Sequence, residues 1–337
     1  MLNFFSKCSS APPEFSEDEW YEKTHAPDSA LLYANNVADD GTFFNPWLGR
    51  EKRKGRYSRN KGKYEEPSYA QYGTVLNDFS YLSDDSFDSI TFAGHASMII
   101  KMNGQTIFTD PFFSGAALIV QKKEKIRFDF SKVTEKPVVL LSHNHYDHLD
   151  KYSVKQFAKK NAVFIVPLGL KKLISDYGAK EVHELGWWQN ITIGGIEYTL
   201  VPAQHWSRRL WQKGGSTLWG GYVIKGSKTI YFSGDTGYFI GFKEFGNRWK
   251  IDYAILGAGA YEPRWFMHYA HMNVSEFFMA AQETKAKFSI PMHFGVISLS
   301  DEPLLYPLFE IDMAVKQNHE LANSILPLRI GEYIKIQ

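Results

Sequence analysis

The sequence predicts an α+β sandwich, two packed mixed sheets with helices on their outer faces. Three observations carry that prediction. Strand-type runs begin at Ser89 and recur to the end of the chain. Helical segments punctuate them in both halves, the order expected when each sheet is covered by its own helical layer. The 337 residues are 44% hydrophobic, enough to build a sizeable core and to exclude disorder as the main state.

Residues 1–88 read differently from the rest. They are rich in Tyr, Ser, Asp, Lys and Pro, lack sustained periodicity, and contain Asn45-Pro46 and Glu66-Pro67, which disfavour long helices. They are expected to form an arm or extension laid on a catalytic domain of residues 89–337. Within the arm, Arg50 to Lys63 carries eight basic residues against Glu51 alone, read as a solvated loop in preference to an anionic-surface contact.

The core begins with strands at 89–93 and 97–102, an Asn103-Gly104 hairpin turn, and a strand at 105–109. A buried-type strand at 137–141, a helix at 152–160, a strand at 162–166 and a helix at 168–177 give a β-α-β-α stretch. Further strands are expected near 190–202, 217–225, 228–233 and 251–257. A helix over 274–284 is opened by Asn273 with Glu276 three residues on, a capping signature. A strand at 287–291, a helix near 303–317 and a last strand at 331–336 complete the pattern.

Charge and cysteine content narrow the function classes. Thirty-eight basic residues balance 37 acidic ones, giving a formal net charge of +1 and no whole-molecule field to steer the chain to nucleic acid. A single cysteine, Cys8, cannot form an internal disulfide, which is compatible with a cytoplasmic protein. No run reaches the roughly eighteen apolar residues of a membrane-spanning helix.

The chemistry is concentrated after the strand ending at Leu141, in Ser142-His143-Asn144-His145-Tyr146-Asp147-His148-Leu149-Asp150. Four potential ligands stand within six residues, and imidazole with carboxylate suits a borderline cation such as Zn²⁺. His205, Asp235 and His293 each follow a predicted strand, where side chains can converge on one cleft.

With these residues in view, the chain resembles the metallo-β-lactamase superfamily, through His143-x-His145-x-Asp147-His148 and the later His205, Asp235 and His293. The resemblance implies an αββα sandwich and a two-zinc site. The first zinc would take His143, His145 and His205, the second Asp147, His148 and His293, with Asp235 bridging. His95 and Asp110, in Gly94-His95-Ala96-Ser97 and Thr109-Asp110-Pro111, are expected to support the site. Iron and manganese also accept such ligands.

Within that superfamily the chain is similar to the N-acyl-phosphatidylethanolamine-hydrolysing phospholipase D branch. Residues 41–47 (Gly-Thr-Phe-Phe-Asn-Pro-Trp), the double-Trp element at 185–188, Gln204-His205-Trp206, 234–238 and above all 259–267 carry the similarity. It implies that Tyr146 and His271 line the phosphate or head-group region, with His271 either catalytic or structural. It also implies a phospholipid-like substrate and contact with a membrane surface from the cytoplasmic side; no nucleic-acid partner is expected, since no RNA-binding module is evident beyond the basic 50–63 stretch, and a homodimer is left open.

The expected reaction is in-line attack of hydroxide on phosphorus, releasing N-acylethanolamine and phosphatidic acid. Two zinc ions, Asp147, Asp235 and a bridging hydroxide would leave a site charge of about +1, attractive to a phosphodiester. A small phosphoester or sugar-phosphate lactone stays open as an alternative substrate.

Other features are read in both directions. Glu262 and Arg264 are expected to form an ion pair or hydrogen-bonded loop. Trp187, Trp188, Trp206, Trp211, Trp265 and Phe266 are expected mostly in the core, with a minority lining an acyl chain. The chain departs from the phospholipase D pattern between Ser114 and Lys132. There an apolar run followed by Lys122, Lys123 and Lys125 either packs on the domain or dips into an interface where the lysines meet lipid phosphate.

Overall fold

Apolar side chains at every second position decide which face of each strand is buried between the sheets. In the strand Met98–Met102, Met98, Ile100 and Met102 point into the inter-sheet core, whereas Ile99 joins the cluster on the opposite face. The computed structural model describes residues 15–25, 28–49, 64–84, 86–124 and 128–336. Cys8, the basic run 50–63 and Lys125 lie outside the described residues.

The strands in chain order are β1 (Ser89–Phe92), β2 (Met98–Met102), β3 (Gln105–Thr109), β4 (Ala116–Ala117), β5 (Val120–Gln121), β6 (Val138–Leu140), β7 (Val163–Pro167) and β8 (Glu181–Leu185). They continue with β9 (Asn190–Ile193), β10 (Ile196–Val201), β11 (Gly221–Lys225), β12 (Thr229–Phe232), β13 (Tyr253–Gly257), β14 (Phe288–Met292) and β15 (Tyr333–Lys335). The helices are α1 (Glu17–His25), α2 (Tyr69–Tyr72), α3 (Lys151–Lys159), α4 (Lys171–Asp176), α5 (Gly241–Arg248), α6 (Arg264–Met267), α7 (Val274–Glu283), α8 (Tyr306–Gln317) and α9 (His319–Ala322).

Two mixed sheets face each other, in the orders β15-β1-β2-β3-β6-β7-β8 and β14-β13-β12-β11-β10-β9. In the first, β15 to β3 pair antiparallel and β3, β6, β7 and β8 pair parallel. In the second, β14, β13 and β12 are parallel and β11, β10 and β9 antiparallel. Ile90, Ile100, Ile107, Leu140 and Ile165 of the first sheet meet Tyr198, Leu200, Tyr222, Phe232 and Ile290 of the second, all fully buried. Each such side chain removed from water stabilises the fold by about 1.5–3 kcal/mol.

The outer layers follow. Val154 and Phe157 of α3 and Ile174 of α4 cover the first sheet over Phe108, Val139 and Phe164. Phe242 and Phe245 of α5 and Phe277 of α7 cover the second over Val223, Tyr231 and Ala254. The expected αββα sandwich is therefore the observed one. α7 starts as its sequence requires, with reciprocal 2.8 Å bonds between Asn273 and Glu276. The arm residues Trp20, Leu32, Trp47 and Leu48 are buried in the α5–α7 layer, while Phe79 and Leu82 join the α3 layer.

Three expectations need correction. α1 forms inside the stretch read as lacking periodicity. α5 and β8 are further elements that the sequence pattern did not announce. The segment after Ser114 is a short β4–β5 hairpin with Leu118 and Ile119 at its tip, and Lys122 is not available to a lipid phosphate: it is buried, its amine donating to the Phe112 carbonyl and lying 3.8 Å from that ring's centroid.

Candidate metal centre

The loop after β6 is held by a carboxylate before any metal is considered. Asp110, at the end of β3, accepts from the Ser142 amide at 2.7 Å and the Ser142 hydroxyl at 2.5 Å. At the loop's far end Asp150 caps α3, accepting from the Tyr152 and Ser153 amides at 3.2 Å each. Between these anchors the chain turns through Leu149 N to His145 O, 2.8 Å. His143, His145, Asp147 and His148 are thus presented from a segment fixed at both ends.

The distant residues arrive from the second sheet. Asp235 follows β12, His205 follows β10 and His293 follows β14. His95, Asp110 and His293 adopt left-handed backbone conformations, with φ of 58°, 37° and 72°. Such conformations cost about 1–3 kcal/mol each and persist where surrounding structure enforces them.

All seven residues expected as ligands converge. His143 Nε2 lies 2.7 Å from His145 Nδ1, and His205 Nε2 lies 3.2 Å from the same atom. Asp235 Oδ2 is 3.9 Å from His143 Nε2 and 3.7 Å from His205 Nε2. On its other side Asp235 reaches His148 Nε2 at 3.1 Å through Oδ2 and His293 Nε2 at 3.0 Å through Oδ1. His148 Nε2 is 3.3 Å from His293 Nε2 and 3.5 Å from Asp147 Oδ2. Among the described residues four groups could hold a metal ion: His143-His145-His205-Asp235 and His95-Asp147-His148-His293, which together contain all seven, and the overlapping Asp110-His143-His148 and Asp235-His271-His293.

The donor chemistry fits a metal pair. Several ring nitrogens that face away from the centre are tied to the protein: His143 Nδ1 to Ser142 Oγ (2.8 Å), His148 Nδ1 to Asp110 Oδ2 (2.7 Å) and His205 Nδ1 to the Ala270 carbonyl (3.2 Å). Each such bond leaves the other nitrogen's lone pair pointing inward, the arrangement metal-ligating histidines use. Close approaches between inward nitrogens are otherwise unfavourable, and a cation between them resolves the conflict.

Electrostatics agree with the geometry. Burial, with His148 and His145 nearby, pushes His143 well below the ordinary imidazole pKa; burial, together with His145 and His271, does the same to His205, which favours the neutral form of each. Burial opposes ionisation of Asp147 and Asp235, but the adjacent His148 outweighs it and holds both carboxyls well below their usual range. Burial would also lower His148; Asp235, Asp147 and Asp110 instead raise it well above its ordinary value. A divalent cation would take over that compensation, displacing the proton.

His95 and Asp110 adjoin the donor cluster, and each belongs to a group of residues that could hold a metal ion. His95 Nε2 is 2.8 Å from Asp147 Oδ2, and burial beside His293 lowers its pKa to about 4. His271 lies at the junction of the two groups, its Nδ1 4.0 Å from Asp235 Oδ2 and its ring 5.1 Å from that of His293. Tyr146 is half-buried beside the loop; its hydroxyl accepts from Leu210 N at 3.3 Å.

Arg209 escaped the sequence reading. It is buried, donates to the carbonyls of Asn144 and Leu149 at 3.0 Å each, and lies 3.9 Å from the Tyr146 ring centroid. No local pattern distinguishes it from its neighbour Arg208, which is exposed. The 41–47 motif also gains a role: Asn45 Nδ2 donates to the His205 carbonyl and Trp47 Nε1 to Gln204 Oε1, both at 3.0 Å. Arg264 pairs with Glu17 and Glu276 at 3.0 and 2.8 Å; the Glu262 carboxylate instead accepts from the Arg264 amide at 3.2 Å.

Beside His205 opens a cavity of about 660 Å³, bordered by Phe43, Phe44, Trp206, Arg208 and Phe266. Of the aromatic residues considered above, Trp206 and Phe266 line it. Trp187 stacks on Trp47, Trp188 stacks on Tyr33, and Trp211 is fully exposed. Among the described residues no helix is long and apolar enough to cross a membrane.

Comparison with known proteins agrees with this geometry. Residues 105–294 match the model of the beta-lactamase superfamily domain. The chain is 33% identical over 263 residues to N-acyl-phosphatidylethanolamine-hydrolyzing phospholipase D 1 of Caenorhabditis elegans, covering 72% of this chain and 74% of that protein. It is 32% identical over 241 residues to the mitochondrial N-acyl-phosphatidylethanolamine-hydrolyzing phospholipase D of Saccharomyces cerevisiae, covering 66% of this chain but only about half, 51%, of the yeast protein. Among solved structures, a possible metal-dependent hydrolase of Veillonella parvula superposes with a TM-score of 0.62 at 16% identity, over 74% of this chain and 100% of that one. At that identity the likeness speaks for the fold alone.

Proposed function

We propose that this chain, which belongs to the beta-lactamase superfamily, is a phosphodiesterase of phospholipase D type that uses two zinc ions. Its substrates are N-acyl-phosphatidylethanolamine-like lipids, and its products are N-acylethanolamine and phosphatidic acid. The observation that carries the reading is the position of Asp235, whose carboxylate reaches nitrogen donors of both groups. The similarity to phospholipase D proteins of worm and yeast supports the lipid class.

His143, His145 and His205 would hold one ion and Asp147, His148 and His293 the other, with Asp235 within reach of both groups. When bound, such a pair generates a nucleophile from water at neutral pH and stabilises charge on phosphoryl oxygens. Water adds across the P–O bond: its oxygen goes to phosphorus, one of its protons stays on the phosphatidic acid or passes to solvent, and the other restores the proton that His271 gives up. His271, partly exposed at the junction, gives the alkoxide its proton. Tyr146, braced by Arg209, lines the head-group side. Arg208 and Lys213 beside the cavity's aromatic wall favour, as a second reading, a small phosphoester or sugar-phosphate lactone.

The test is direct. The purified protein is assayed for bound metal and for N-acylethanolamine release from mixed micelles, with and without chelator. Chelator-sensitive release with about two zinc ions per chain is expected. Two metals without release would sink the lipid assignment and favour the second reading.

A further inference from the structure

Five large apolar side chains are exposed on two loop tips that frame the metal loop. Leu118, Ile119 and Val120 are 49%, 83% and 37% exposed on the β4–β5 hairpin, and Leu210 and Trp211 are 56% and 101% exposed on the segment after Arg209. Exposed apolar clusters of this kind mark contact surfaces. Trp211 has a φ of 65°, an unfavourable conformation for a bulky residue.

Both tips are fastened to the metal loop. Leu210 N donates to the Tyr146 hydroxyl at 3.3 Å, and Asn144 Nδ2 to Gln212 Oε1 at 3.1 Å. The hairpin is held at the loop's other end by Ser114 N on Asp150 Oδ2 (3.0 Å), and by Lys123 N on the Val296 carbonyl (2.8 Å), just past His293. Exposed Lys123 and Arg208 adjoin the two tips. Tips of two or three residues are too small for a stable protein interface of about 800 Å² per partner. They suit shallow insertion among lipid head groups, where Trp and aliphatic side chains find apolar surroundings and cations find phosphate.

We propose that these two tips dock the chain on an anionic phospholipid membrane, with Ile119 and Trp211 entering the interface and Lys123 and Arg208 meeting lipid phosphates. The inference rests on the lipid reading above, since docking there brings the metal loop to the head groups.

Sedimentation with vesicles of phosphatidylcholine, with and without phosphatidylserine, tests it in the absence of any turnover. Wild-type protein is expected to bind the anionic vesicles. The double variant Leu118→Ser/Ile119→Ser and the variant Trp211→Ser each lose about tenfold in partitioning, and Lys123→Glu and Arg208→Glu about fivefold each at low salt. Hydrolysis of a soluble short-chain phosphodiester and the melting temperature stay at wild-type values in the three apolar-tip changes. Equal sedimentation of variants and wild type, or no binding by the wild type, overturns the proposal. So does light scattering in which Trp211→Ser dissociates a dimer while vesicle binding persists. Vesicle binding without lipid hydrolysis upholds the docking surface and overturns the lipase reading instead.

Discussion

The two halves of the candidate metal centre have different surroundings. The His143-His145-His205 half borders the cavity: His205 lines it, and Trp206 stands edge-on to His145 with ring centroids 4.4 Å apart. The Asp147-His148-His293 half is backed by buried His95, Asp110 and Phe112. One half is a doorway and the other a wall. One cluster opens on a cavity and the other packs against the protein, and Asp235 lies within reach of nitrogens of both.

The change that most nearly abolishes this comparison is Asp235→Asn. It weakens a donor to both halves at once and is expected to lower both metal content and turnover by more than about a hundredfold. Elemental analysis and single-substrate kinetics read the outcome; full metal occupancy with wild-type turnover would remove the bridge.

Next in size, Asp110→Asn strikes the walled half directly and the other only through Ser142, whose hydroxyl holds His143. His148 Nδ1 loses its carboxylate partner and Ser142 its brace, so metal affinity in that half falls by about 10–100-fold while the other half, touched only through Ser142, weakens less. A metal titration showing two distinct sites in the variant bears this out, and uniform weakening speaks against it. For His271→Ala the expected result is about a hundredfold loss in turnover at unchanged metal content. Normal turnover would reduce His271 to support.

The smallest effect lies behind the wall, at Lys122. Burial lowers its pKa from 10.5 in the unfolded chain to about 8 in the folded protein, against a smaller opposing pull from Asp150. Between those values the unfolded state binds more protons, so stability rises with pH from about 8 towards 10.5. Lys122→Met should flatten that rise and add stability at pH 7. Denaturant melts at pH 7 and pH 10 compare the two proteins; an unchanged pH dependence would show that the amine is solvated.

Most of this was legible in the chain because both signals are local. Alternation marked β1–β3, and a nine-residue loop carried four of the candidate metal donors. Its distant partners were visible as polar residues at strand ends. What stayed hidden depends on packing between remote segments. α5 contains Gly241 and Gly246, which lower its helical propensity; yet a Cβ at Gly246 would stand 2.2 Å from the Glu283 carbonyl of α7, so close packing demands the glycine that obscures the helix. β8, Glu-Val-His-Glu-Leu, sits at a sheet edge, where charged residues disguise the strand pattern. Arg209 clamps carbonyls on the metal loop, sixty or more positions away in the chain.

The pairing of Ser89 with Lys335 has a consequence for how the molecule is made. β1 and β15 are neighbours in the first sheet, yet nearly the whole catalytic sequence is synthesised between them. Until Tyr333–Lys335 leaves the ribosome, β1 offers an unpaired hydrogen-bonding edge, and contacts of such long sequence separation form slowly. Nascent chains therefore pass through a stage in which most of both sheets exists but one border is open to association with other chains.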